Sequence, residues 1–190
     1  MRLLQSSWSL SQEDESLIDP QMTKLHHAAS KGNIDKLTKH MKKTEINVVD
    51  SFGRTALHLT AGGGHTRAVG LLLSSGANAG IQDKKGMTAL SRAVETGHLE
   101  IVQQLLEAGA STDVPDTNGE TCVHMAVRAR TTSVLSLLVR RGANPDIINY
   151  DGQSALHLAV SNTDIDCVNV LLRAGALVNI RYQCITRIWK

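Results

Sequence analysis

The 190 residues are 42% hydrophobic, enough for one sizeable core, yet only 3% aromatic, so small aliphatic side chains must fill it and the elements meeting there must be thin. A formal charge of +2 is too small to hold nucleic acid or an anionic membrane without a concentrated basic face, and no run of about 18 apolar residues offers a membrane span. Three cysteines, Cys122, Cys167 and Cys184, make an odd count without a Cys-x-x-Cys, which argues for a reducing compartment, cytoplasm or nucleus, and Met1 to Leu10 lacks the apolar run of a signal peptide.

Residues 1–21 hold an acidic cluster at Glu13, Asp14 and Glu15 and an isolated Trp8, without a lasting helical or alternating pattern. They read as a flexible leader, with Trp8 and Leu10 as a candidate linear motif. A first helical unit spans residues 22–49, opening at Thr23-Lys24-Leu25-His26. Its second helix carries Lys36, Lys39, His40, Lys42 and Lys43, a polarity suited to the uncovered end of an array.

At Gly53-Arg54-Thr55-Ala56-Leu57-His58 a fuller pattern begins, and its glycine returns at Gly86, Gly119 and Gly152, each 33 residues after the last. The columns around it keep register: Thr55, Thr88, Thr121 and Ser154; His58, Ser91, His124 and His157; Gly76, Gly109, Gly142 and Gly175. Four further units follow, at residues 50–82, 83–115, 116–148 and 149–181. Each predicts a first helix opening at the hydroxyl residue, a break, and a second helix with an apolar stripe such as Val69, Leu72 and Leu73. A glycine exit like Gly76 and a polar, hairpin-like finger complete the unit.

Two departures carry expectations. The helix break is Gly64-His65 and Gly97-His98 in two units but Arg130-Thr131 and Thr163-Asp164 in the next two, so those turns should be strained or reshaped. After residue 180 the pattern fails, leaving 181–190 as an irregular tail with Ile185 where a glycine was due. Either Ile185, Ile188 and Trp189 fold back over the apolar face of the fifth unit, or the chain is a shortened form of a longer one.

Gly-x-Thr-x-Leu-His, Gly-His, a Leu-Leu pair and Gly-Ala on a 33-residue period resemble the ankyrin repeat, over residues 22–180. Ala56, Ala89, Cys122 and Ala155 stand where that family places proline. The resemblance implies an all-α solenoid of about five stacked helix-turn-helix units with β-hairpin-like fingers. It also implies that the recurrent Thr and His hydrogen-bond within and between units. Asn47 and Asn179 occupy the column where a finger asparagine of this family can be hydroxylated.

Nothing in the sequence assembles catalytic chemistry. Histidines one period apart lie on the order of 10 Å from each other, too far for shared metal ligation. Cys122 and Cys167 read as small core residues, and the scattered carboxylates form no close acid pair. Neither a cofactor nor a nucleotide site is expected, and the chain reads as no enzyme. Arg128, Arg130, Arg140 and Arg141 form one basic patch, able to grip an acidic segment or simply to neutralise helix C-termini.

In proteins of the resembling family a partner polypeptide lies in the concave groove of finger tips and first helices. By register the tips include Phe52, Arg54, Lys84, Lys85, Met87, Asn118, Glu120, Tyr150, Asp151 and Gln153, and the first-helix ends include Glu95, Thr96, Arg128 and Asn162. Phe52 and Tyr150 lead the set, because a tip aromatic has little structural use unless it packs on an adjacent finger. The expected function is a monomeric scaffold or adaptor that binds another protein, one with apolar and acidic groups, and neither nucleic acid nor membrane. The alternative is an inhibitor of a transcription or signalling factor, resembling the ankyrin-type inhibitors.

Overall fold

A 33-residue period cannot close a core within one unit, so each unit must bury its apolar side against the next. The computed structural model describes residues 22–42 and 44–179 and shows this stacking. Ten helices occur in it: α1 (Lys24–Ser30), α2 (Ile34–Met41), α3 (Ala56–Gly62), α4 (Thr66–Ser74), α5 (Ala89–Glu95), α6 (Leu99–Glu107), α7 (Cys122–Arg128), α8 (Thr132–Arg140), α9 (Ala155–Ser161) and α10 (Ile165–Arg173). They form five antiparallel pairs in file. Each first helix packs on the next first helix, each second helix on the next second helix.

The inner first helices are almost wholly buried, α3 at every position and α7 from Cys122 to Val127, because other helices meet them from several sides, whereas α1 and α9 at the ends bury four residues each. The second helices bury one stripe, as Val69 and Leu72 on α4 and Ile101, Val102 and Leu105 on α6, and Leu73 is only partly covered. On α2 the stripe shrinks to Leu37, as its polar sequence required. The fifth pair leaves Val160, Leu172, Leu177 and Val178 exposed around a hollow of about 340 Å³. The leader and the tail, with Trp8, Ile185, Ile188 and Trp189, lie outside the described residues.

One hydrogen-bond device joins the pairs. In α3 the Thr55 N–H donates to His58 Nδ1 at 3.1 Å, which puts the ring proton on Nε2, and Nε2 donates to Met87 O of the next pair at 3.0 Å. His26 does the same toward Arg54 O at 3.0 Å, and His124 toward Gln153 O at 3.1 Å. Ser91 interrupts the column. It meets Thr88 Oγ1 at 3.0 Å and lies 3.8 Å from Cys122 Sγ, which stands where the other 33-residue units have Ala56, Ala89 and Ala155.

Arg130 and Thr163 keep the turn that glycine makes elsewhere, with φ of 55° and 52° against 75° at Gly64 and 76° at Gly97. Of the two outcomes expected there, the structure takes strain over reshaping: α8 and α10 have the same length of nine residues as α4 and α6. The closing bonds are unchanged, from His65 N–H to Thr60 O at 3.0 Å through Asp164 N–H to Ala159 O at 3.0 Å.

Two outcomes test this account. Ser91→His alone should bring its ring against Cys122 Sγ and gain nothing, whereas with Cys122→Ala it should add about 1 kcal/mol in urea melts; additive single effects would refute the coupling. Burial lowers the pKa of His26, His58 and His124 from 6.5 despite the backbone carbonyls that favour the charged ring. The unfolded chain therefore binds protons first as pH falls, so stability is full above about 6.5 and declines below it. Urea midpoints at about pH 7.5 and about pH 5 should show that loss, and His58→Gln should reduce it.

Candidate functional site

The finger tips are rigid because each is tied by one side-chain oxygen. Asp50 Oδ1 accepts the N–H groups of Phe52 and Arg54 at 2.9 and 2.8 Å, and Asp83, Asp116 and Asn149 repeat the pattern. Neighbouring tips then join through the backbone: Lys84 N–H to Phe52 O at 2.9 Å, Thr117 N–H to Lys85 O at 3.0 Å, Tyr150 N–H to Asn118 O at 2.9 Å. Such closeness leaves no room for a side chain at Gly86, whose Cβ would fall 2.9 Å from Asp116 Cα. Strand character is minimal; an isolated bridge joins Ile148 and Ser154.

Between these tips and the C-terminal ends of α5 and α7 lies an open cleft of about 990 Å³. Its apolar floor is Met87 and Met125, 5% and 6% exposed. Tyr150 stands at its rim, 64% exposed, with the ring resting on Gly119 of the adjacent finger. An aromatic that is packed on one face and open on the other loses little freedom when a partner covers it.

Two arginines organise the charge. Arg92 occupies a column that holds Leu59, Met125 and Leu158 in the other 33-residue units and His27 in the first unit; it is buried, pairs with Asp83 and reaches Glu95 Oε2 at 3.2 Å. Burial alone would raise the Asp83 carboxyl, but the Arg92 hydrogen bond, the Met87 amide and the Arg92 charge together hold it below the ordinary carboxylate value. Arg128 clasps the carboxylate of Glu120, its Nε lying 2.7 and 2.9 Å from the two oxygens. That bond, with the nearby charges of Asp151 and Asp116, raises the Arg128 pKa against the opposing effect of burial.

The structure gathers Lys85, Met87, Glu95, Thr96, Asn118, Glu120, Arg128, Tyr150 and Asp151 around this cleft. Phe52 and Arg54 belong to an earlier finger, where the guanidinium sits 4.7 Å from the ring centroid and also pairs with Asp50 at 2.7 Å. Lys84 is exposed on its tip; Gln153 and Asn162 lend their backbone oxygens to His124 and Arg130. Two tip assignments change. Met87 is floor, not tip, and Glu120 is a buried partner of Arg128 with its side chain only 10% exposed.

The basic patch also resolves into separate contacts. Arg130 donates to Asn162 O at 2.7 Å, Arg140 Nε to Ser136 O at 3.1 Å, and Arg141 lies 3.7 Å from Glu107; Arg128 is the member that lines the cleft. Cys122 and Cys167 are buried, their thiols pushed up by burial to about 12, where a nucleophilic thiolate is not available at neutral pH. Asn47 Oδ1 accepts the Asn78 N–H at 2.9 Å, a brace between fingers. The residue that sequence reasoning missed is Arg92, and the signal was present: a cation where the other 33-residue units have Leu59, Met125 and Leu158.

Comparison with known proteins places this geometry. A family model described as ankyrin repeats (3 copies) matches residues 25–116 and 109–182. The chain is similar to the human ankyrin repeat domain-containing protein 7, 38% identical over 79 residues, which are 38% of this chain and 31% of that protein. It is also similar to an L-asparaginase of Dirofilaria immitis, 42% identical over 67 residues, 35% of this chain and 11% of that protein. The chain thus spans less than a third of either relative's length.

Asn149 shows that an amide can tie a finger, so Asp83→Asn should keep its turn and lose only the charge beside Arg92. A cost of about 3 kcal/mol in thermal or urea melts is expected for it. The same change at Asp116, which holds no buried arginine, should cost well under about 1 kcal/mol. Equal losses would mean that the buried pair contributes nothing specific.

Proposed function

Because the chain belongs to the ankyrin repeat family, we propose that it is a non-enzymatic protein-binding module, a scaffold or adaptor that holds a partner polypeptide along its finger tips and in the cleft beneath Tyr150. The observation that carries the reading is Tyr150 itself: a large ring on a tied finger, open to solvent over a hollow of about 990 Å³. Phe52, 56% exposed on an earlier finger, supplies a second anchor on the same file of tips. Large, rigid side chains of this kind dominate binding energy at protein interfaces.

Other groups support a module without turnover. The recurrent histidines are engaged in caps and bridges, the two described thiols are buried, and Glu95 and Glu120 are paired to arginines. Among the described residues no helix is long and apolar enough to cross a membrane.

Proximity labelling in cells tests the reading, with the wild-type chain run beside a Phe52→Ala, Tyr150→Ala double variant. Both side chains are more than half exposed, so the variant should melt as the wild type does while its specific neighbours fall by about tenfold. An unchanged set of neighbours at unchanged yield would place the binding surface elsewhere.

A further inference from the structure

The cleft inverts the charge of the molecule around it. The chain as a whole is +2, yet the cleft wall carries Glu95, Asp116, Glu120 and Asp151, with Asp83 buried behind them. Against these stand Arg92, Arg128 and Lys85. Arg92 is covered and shared between Asp83 and Glu95, and Arg128, whose side chain is 51% exposed, is held through Nε and Nη2 by Glu120. Asp151, by contrast, is exposed at the tip next to Tyr150, and the Asp116 carboxylate faces the same arginine from the neighbouring finger.

Resting on the groove reading above, we propose that the segment this cleft accepts is a basic one, whose lysine or arginine side chain enters between the Tyr150 ring and the carboxylates of Asp151 and Asp116. Charge complementarity favours this sign, since carboxylates outnumber cationic side chains along the cleft, the exposed Asp151 stands beside the ring, and both arginines of the cleft are already bound by acids. The ring adds a face that attracts ammonium or guanidinium, and the aliphatic stem of either side chain suits the methionine floor. Lys84 and Lys85 on the opposite tip set the orientation, favouring a segment that is basic at one end only.

The test is selection of random dodecapeptides displayed on phage against the full chain, followed by titration of the enriched synthetic peptides with wild type, Tyr150→Ala, Asp151→Asn and Asp151→Lys. Enriched peptides should carry lysine or arginine, bind about tenfold more weakly to Tyr150→Ala and to Asp151→Lys, and weaken as salt rises from about 50 to about 300 mM. Asp151→Asn should fall between wild type and Asp151→Lys. Acidic or uncharged peptides that still need Tyr150 and bind Asp151→Lys as well or better would overturn the charge assignment and leave the groove reading standing. Peptides indifferent to all three substitutions, or no enrichment at all, would overturn both.

Discussion

The bond on which the fold depends is the one from a histidine Nε2 of one helical pair to a carbonyl of the next. It exists because the same ring accepts a threonine N–H at Nδ1, so capping the helix and bridging the stack are a single tautomeric choice. Each bridge lies in a buried site where an unpaired carbonyl would be costly. The stack therefore has a preferred register at every joint that carries one, and that register brings the finger tips within backbone hydrogen-bonding distance.

Repetition made most of this legible in the sequence. The period places helices, caps and exits, and the column of Gly64 and Gly97 marks Arg130 and Thr163 as exceptions. What it leaves open is how an exception is absorbed. The N–H groups at and just after Arg130 and Thr163 make the same main-chain bonds as at glycine, while the bonds that Gly64 O and Gly97 O accept from Thr66 and Leu99 have no counterpart there; the neighbouring pairs hold both sides of the turn, so the left-handed conformation persists at a cost of about 1 kcal/mol.

The candidate site was less legible, for a different reason. Register assigns a residue to a tip but not the direction in which its side chain finds a partner. Met87 and Glu120 share a column with Arg54 and Gln153, yet the first three side chains meet different fates. Met87 covers the core, Glu120 turns to an arginine eight residues ahead, and Arg54 turns back to Asp50 and Phe52. Pairing between columns, as of Arg92 with Asp83 and of Arg128 with Glu120, has no periodic signature, because each occurs in one unit.

Those one-unit departures are concentrated at a single joint. Between the α5–α6 pair and the α7–α8 pair, Ser91 stands where histidine bridges other pairs, and Cys122 fills the space beside it. Gly80 offers no side chain where Asn47, Asp113 and Asp146 brace the following finger, and Gln82 takes over by donating to Pro115 O at 3.0 Å. Arg92 stands at the same joint where Leu59, Met125 and Leu158 stand in the other 33-residue units, and the cleft opens there. A repeat that keeps its shared bonds is interchangeable with its neighbours; only where those bonds are replaced by local ones can one surface differ from the rest. The joint that gives up the common bridge is thus the joint with chemistry of its own, and the bonds from Gln82 to Pro115 O and from Thr117 N–H to Lys85 O hold the stack in register while it does so.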